Sequence, residues 1–193
     1  MSSDILSGEA LWAAYVSGQS KRPAPVQRRK VQSTALHNTS SASPSLSSVE
    51  MWTDGGCSPN PGLGGWAVIL RANGGQEREF SGAEPDTTNN RMELMAAIQG
   101  LERLTRPCLV TIHTDSEYLE RGVSSRLPGW IAAGWRTASK KLVLNRDLWE
   151  RLIEAMRPHQ VVIRWTKGHA TDAMNIRADR LVSTARLHAS RNV

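Results

Sequence analysis

From Val49 to Cys57 the chain alternates: Val49, Met51 and Thr53 fall on one side, and Glu50, Trp52 and Asp54 on the other. That is the period of a β-strand with two different faces. Gly64 to Arg71 is a second, continuously apolar strand, and Asn73-Gly74-Gly75 is a turn of hairpin type. Gln76 to Gly82 returns as a third, more polar strand. From Asn90 to Leu104 the period becomes helical, with Leu94, Ala97, Ile98 and Leu101 at core spacing. Met92, Met95 and Ala96 make its other side apolar too, which predicts a helix buried nearly all round. Leu109 to Thr114 is an apolar strand, Glu117 to Val123 a helix, and Pro128 to Lys141 an irregular segment bearing tryptophans. Asn145 to Met156 is a helix with Asp147 in its first turn and Pro158 just past its end. Val161 to Thr166 is the fifth strand, Lys167-Gly168-His169 a loop, and Asp172 to Ala189 the last helix. Three successive strands followed by alternating helix and strand predict an α/β fold. Its sheet is mixed and five-stranded, with helices on both faces.

Residues 1–48 read differently. Glu9 to Val16 has the spacing of a short helix, with Ser7 as its cap and Leu11, Trp12, Tyr15 and Val16 on one side. A proline-bearing basic stretch follows, containing Lys21, Arg22, Arg28, Arg29 and Lys30, against only Asp4 and Glu9 in the whole segment. Ser33 to Ser48 is mostly Ser, Thr, Asn and Ala, too polar to build a core. The division expected is a disordered tail and linker over 1–48 and a folded domain over 49–193.

The net charge of +6 favours polyanionic partners over acidic surfaces. Two cysteines, Cys57 and Cys108, make neither a disulfide framework nor a zinc set. No apolar run approaches the ~20 residues of a membrane span, and the start of the chain lacks the pattern of a secretory signal. A cytoplasmic protein that makes no membrane contact is expected.

Four carboxylates then change the picture. Asp54 and Asp115 both end apolar strands, Asp54 before Gly55-Gly56 and Asp115 before Ser116. If the two strands are adjacent and parallel, their C-terminal ends share one crevice. Glu93 and Asp179 lie on helices. Each also has an ordinary explanation: an Asx-turn for Asp54, a capping box with Asn90 for Glu93, a helix cap for Asp115, a solvated flank for Asp179. Clustered carboxylates repel unless a cation lies between them, and oxygen-only sets suit Mg²⁺ or Mn²⁺.

Over residues 49 to about 188 the chain resembles type 1 ribonuclease H of the bacterial kind, the nuclease that cuts RNA paired to DNA. The resemblance is carried by Thr53-Asp54-Gly55, Asn60-Pro61-Gly62, Gly64-Gly65, Thr87 to Ala97, Thr114-Asp115-Ser116, Lys167-Gly168-His169-Ala170 and Asn175 to Asp179. It implies a ribonuclease H-like fold and a monomeric endonuclease that leaves 5′-phosphate and 3′-hydroxyl ends. Asp54, Glu93, Asp115 and Asp179 would hold two Mg²⁺ ions, with Mn²⁺ as a substitute. His169 would assist proton transfer or product release. Asn60, Asn89 and Asn90 would sense the 2′-hydroxyls of the RNA strand, and Thr88 and Trp130 would contact the DNA strand of the RNA–DNA hybrid. Trp135 and Trp149 would build the core. The tail has no counterpart in the resemblance.

Some positions depart from that pattern. Asp86 stands where an arginine is common, Gly129 where an asparagine is, Ile131-Ala132-Ala133 where a Lys/Arg run is, and Leu144 where a lysine is. These predict thinner phosphate contacts and spare every metal ligand. Two other classes fit parts of the pattern: a hybrid-binding module with a silent site, and a DNA-cutting nuclease of related fold. The intact acids count against the first, and the asparagines suited to 2′-hydroxyls against the second.

Overall fold

The computed structural model describes residues 6–7, 46–167 and 172–191. Its strands are β1 (Leu6–Ser7), β2 (Ser47–Cys57), β3 (Gly62–Ala72), β4 (Glu77–Thr87), β5 (Cys108–Thr114) and β6 (Gln160–Trp165). Its α-helices are α1 (Asn89–Leu101), α2 (Glu117–Arg121), α3 (Leu127–Ala132), α4 (Arg146–Met156) and α5 (Ala173–Ser190). The sheet runs in the order β1-β6-β5-β2-β3-β4. β2, β3 and β4 are antiparallel neighbours, whereas β2, β5 and β6 are parallel. The five expected strands are therefore present in a mixed sheet. The addition is β1, a two-residue strand antiparallel to β6 that pairs Leu6 with Val161. The expected helix from Glu9 to Val16 lies outside the described residues.

Helices cover both faces. Against one face packs α1, whose Met92, Leu94, Ala97 and Ile98 are fully buried, together with Met51, Val68, Val110 and Ile112 of the sheet. Trp149 and Ile153 of α4 close this core from outside. On the opposite face Trp52 and Ile69 pack against Ala178 of α5. Trp52 also stacks on His113 of β5, with ring centroids 4.9 Å apart, and carries the Arg71 guanidinium over its ring. Alternation along β2 thus sorts its side chains between two buried layers. That explains why Met51 and its neighbour Trp52 are both inside.

Several boundaries differ from expectation for local reasons. β4 runs past Gly82 to Thr87, because its pairing with β3 continues to Gly62–Thr87. α1 ends at Leu101, and the chain to Leu104 is a tightened turn in which Arg103 N donates to Gly100 O and Leu104 N to Leu101 O. The segment expected to be irregular contains α3. A π-helical turn (Gly122–Arg126) joins it to α2, and Pro128 sits in its first turn, where a missing N–H costs nothing. Trp135 and Trp149 are buried as expected. The Trp149 indole donates to the Tyr118 hydroxyl (3.1 Å). Arg91 of α1 forks onto Asp147 at the start of α4 (3.0 and 2.7 Å) and locks the two helices. Among the described residues no helix is long and apolar enough to cross a membrane.

Candidate active site

Parallel pairing aligns two carboxylates. The register that places Trp52 opposite His113 carries the next residues of β2 and β5 forward together, so Asp54 and Asp115 emerge at one end of the sheet. Gly55 then lets α1 pass over that end. A Cβ built on Gly55 would lie 2.3 Å from the backbone nitrogen of Glu93 and 2.3 Å from the carbonyl carbon of Met92. Only a residue with no side chain admits the helix so closely, and the consequence is that Glu93 arrives beside Asp54 and the end of β5.

Capping does not account for these acids. The cap of α1 is Thr88, whose hydroxyl accepts from Arg91 N (3.4 Å), and Glu93 turns instead to Ser116, whose hydroxyl donates to its carboxylate. Ser116, not Asp115, caps α2 by accepting from Leu119 N (3.1 Å). That leaves the Asp115 carboxylate to face the cluster, where Asn175 of α5 donates to its Oδ2 (3.3 Å). The Trp165 indole holds the backbone beneath by donating to the Asp115 carbonyl (2.9 Å). Asp54 accepts from the next amide, Gly55 N, at 2.8 Å. Asp179 is exposed one helical turn beyond Asn175, on the side of α5 that meets Asp115.

The electrostatics follow from this crowding. Burial, and then the negative charges of Asp115 and Asp54, push Glu93 up to about 7, against the opposing hydrogen bond from Ser116. Glu93 therefore feels both aspartates. Among the described residues, however, no group of three or more His, Cys, Asp or Glu side chains is arranged to hold a metal ion. The acids converge without closing into a ligand set. His169 lies outside the described residues.

The residues expected along the substrate also gather. Cys57 N donates to Asn89 Oδ1 (2.6 Å) and Asn89 N to Asn60 Oδ1 (3.3 Å), tying the loop after β2 to the start of α1. Thr88 and the exposed Asn90 flank this link. Trp130 is half-buried and meets Trp149 edge-on, with ring centroids 5.6 Å apart. Asp86 has φ 49°, a left-handed backbone that aspartate tolerates better than an arginine would. Sequence reasoning gives no separate role to Ser116, Asn175 or Trp165. Only the spacing of Asn175 four residues before Asp179 hints at one of them.

A mixed sheet whose two central parallel strands bring Asp54 and Asp115 to one side of a shared cleft places the protein among the α/β folds with an acidic site, and comparison narrows the class. The RNase H family model matches residues 46–186. Ribonuclease H of Acidiphilium cryptum (strain JF-5) is 55% identical over 138 residues, 72% of this chain and 86% of that protein. Ribonuclease H of Halorhodospira halophila (strain DSM 244 / SL1) is 58% identical over 135 residues, 70% and 90% of the two chains. Among solved structures, LC9-RNase H1, a type 1 RNase H with the type 2 active-site motif, superposes with a TM-score of 0.67 at 30% identity. It covers 77% of this chain and 75% of its own. LC11-RNase H1, solved in complex with an RNA/DNA hybrid, gives a TM-score of 0.54 at 25% identity over 73% and 98%. The chain belongs to the ribonuclease H family, and over residues 46–186 it is an enzyme of the bacterial, type 1 kind. Cleavage of RNA in RNA–DNA hybrids is the activity of that family, and its members use divalent metal ions.

Proposed function

We propose that this chain is a cytoplasmic, monomeric endonuclease that hydrolyses the RNA strand of RNA–DNA hybrids with two Mg²⁺ ions, leaving 5′-phosphate and 3′-hydroxyl ends. The observation that carries this reading is the meeting of Asp54, Asp115 and Glu93, with Glu93 pushed up to about 7 by burial and by its two acidic neighbours. Such accumulated charge is what a divalent cation relieves, and an all-oxygen donor set suits Mg²⁺ or Mn²⁺. Asp54, Glu93, Asp115 and Asp179 are the residues that would hold the ions. Bound there, the ions would activate a water and stabilise the leaving oxygen.

The remaining work belongs to the chain's own side chains. Ser116 holds the Glu93 carboxylate and Asn175 that of Asp115, so the acids keep their orientation while charge is exchanged around them. The side-chain oxygens of Asn60 and Asn89 are occupied by backbone amides. Their NH₂ groups are thereby turned into donors for RNA 2′-hydroxyls, the group that distinguishes RNA from DNA. Asn90 extends this row. Thr88 and Trp130 are assigned to the DNA strand, and His169 to proton transfer or product release.

The test is purified protein with Mg²⁺ on labelled hybrid, duplex DNA, duplex RNA and single strands. Cleavage of the hybrid RNA alone is expected, abolished in Asp54→Asn and slowed but not abolished in His169→Ala. Cutting of duplex DNA would instead identify a DNA nuclease of related fold. Hybrid binding without cleavage in Mg²⁺ or Mn²⁺ would identify a binding module.

A further inference from the structure

At the end of the sheet opposite the carboxylates lies a cavity of about 340 Å³. It opens between the start of β2, the end of β3, the start of β4 and the turn that follows α1. The distance from there to Asp54 along β2 is roughly 20 Å, at about 3.3 Å per residue. The cavity is therefore separate from the cleavage site. Its volume falls within the ~300–1,000 Å³ of small-molecule sites.

The lining has two parts. Val49, Leu70 and Leu104 supply apolar surface, and Arg78, Arg103 and Arg106 supply three guanidinium groups, with no carboxylate among the described lining residues. The acids near these arginines in sequence are already engaged elsewhere. Glu77 pairs with Arg71 and Arg177, Glu79 with Arg177, and Glu102 with Arg151. Among the described residues, Arg78 and Arg106 have no side-chain hydrogen bond or ion pair. Arg103 is different in kind, because it is held in place. It donates to the Gln99 carbonyl and to Gln99 Oε1 (both 2.6 Å), and its guanidinium lies 4.5 Å from the Phe80 ring centroid. A guanidinium fixed before a ligand arrives loses little freedom on binding, and a planar fork of N–H donors matches phosphate oxygens.

We propose that this cavity is a second ligand site, which takes a 5′-phosphorylated nucleotide. The phosphate lies among Arg78, Arg103 and Arg106, and the base lies against Leu70, Leu104 and Val49. Three cations that pair with no carboxylate among the described residues, around an apolar floor, favour an anion that carries a flat, weakly polar group, and a nucleotide combines the two. The nucleotide is either free or the 5′ end of a strand.

The experiment is NMR titration of the full chain in excess EDTA, with adenosine 5′-monophosphate, adenosine, inorganic phosphate and a 5′-phosphorylated oligodeoxynucleotide. Shifts of the Leu70 and Leu104 amides with the monophosphate are expected, with weaker binding of adenosine and of phosphate alone. Arg78→Ser and Arg106→Ser should each weaken the monophosphate about tenfold, the scale of one charged hydrogen bond. Both side chains are exposed and unpaired, so both variants keep the fold. Displacement of the monophosphate by the oligonucleotide assigns the site to strand ends, and failure to displace it assigns the site to free nucleotide. Shifts absent from Leu70 and Leu104, equal affinity in both arginine variants, or phosphate binding as tightly as the monophosphate would each overturn the proposal. Because no divalent metal is present, the result stands whether or not hybrid cleavage is confirmed.

Discussion

Gly55 and Glu93 touch backbone to backbone: a single carbon added to Gly55 would sit 2.3 Å from the Glu93 nitrogen. This contact sets how far α1 stands from β2, and so whether Glu93 reaches Asp54. Gly55→Ala should destabilise the fold by about 1–3 kcal/mol or more, the range of overpacked cores, and should depress hybrid cleavage by moving the helix. Urea midpoints and turnover measured on the same preparation check it. A variant as stable and as active as the parent would mean that the helix yields without consequence.

Asp54→Asn separates charge from packing. Removing one carboxylate from the cluster should leave stability unchanged or slightly raised in EDTA, because repulsion with Glu93 and Asp115 is relieved. Added Mg²⁺ should raise the melting temperature of the parent, since a ligand that binds only the folded state stabilises it by mass action. The variant should gain much less. Equal gains would place the metal elsewhere.

His159 offers a pH signature away from the site. It is buried, Cys108 N donates to its Nδ1 at 3.2 Å, and burial holds its pKa below the ordinary 6.5. The unfolded chain therefore binds this proton more readily than the folded one. The contribution of this group should be fully present above pH 6.5 and be lost as the pH drops from there to the lower folded value, by at most about 1.4 kcal/mol per pH unit. His159→Asn keeps an acceptor for Cys108 N and cannot titrate. Between pH 7 and 5 the parent should lose stability relative to the variant, whatever slope the other groups give both, and parallel curves would refute the assignment.

Gly129 marks a place where contact can be restored. A Cβ there meets nothing within 4 Å, and the residue lies inside α3, where glycine is a poor helix former. Gly129→Asn should fold with equal or slightly higher stability and bind hybrid more tightly, since it adds an amide donor to this surface. Unchanged hybrid affinity would remove this position from the phosphate contacts.

The basic tail yields a salt-dependence test. Five lysines and arginines lie between Lys21 and Lys30, and β1 places Leu6–Ser7 on the β6 edge. If this segment adds phosphate contacts, the full chain should bind hybrid more tightly than residues 46–193. Its log–log salt slope should also be steeper by roughly one unit per contact. Equal affinities and equal slopes would make the tail irrelevant to substrate.

The alternation of Val49 to Asp54, the apolar run of Leu109 to Thr114 and the change of period at Asn90 determined the strands, the buried helix and the mixed sheet, because binary pattern depends only on which neighbours share a face. The same local logic placed Asp115 just past its strand, but it ended the first strand at Asp54, whereas β2 runs on through Gly55 and Gly56 to Cys57 in its pairing with β3. That logic could not decide between chemistry and capping, since a carboxylate before a helix suits both. Tertiary structure settles the capping half of that choice. Thr88 and Ser116 took the caps, parallel pairing of β2 with β5 aligned the two aspartates, and Gly55 let Glu93 in beside them. The α3 helix went unread because its six residues are too few to show a period. The roles of Ser116, Asn175 and the arginine-lined cavity were equally hidden. Each depends on residues far apart in the chain, and only packing of the sheet against its helices brings them together.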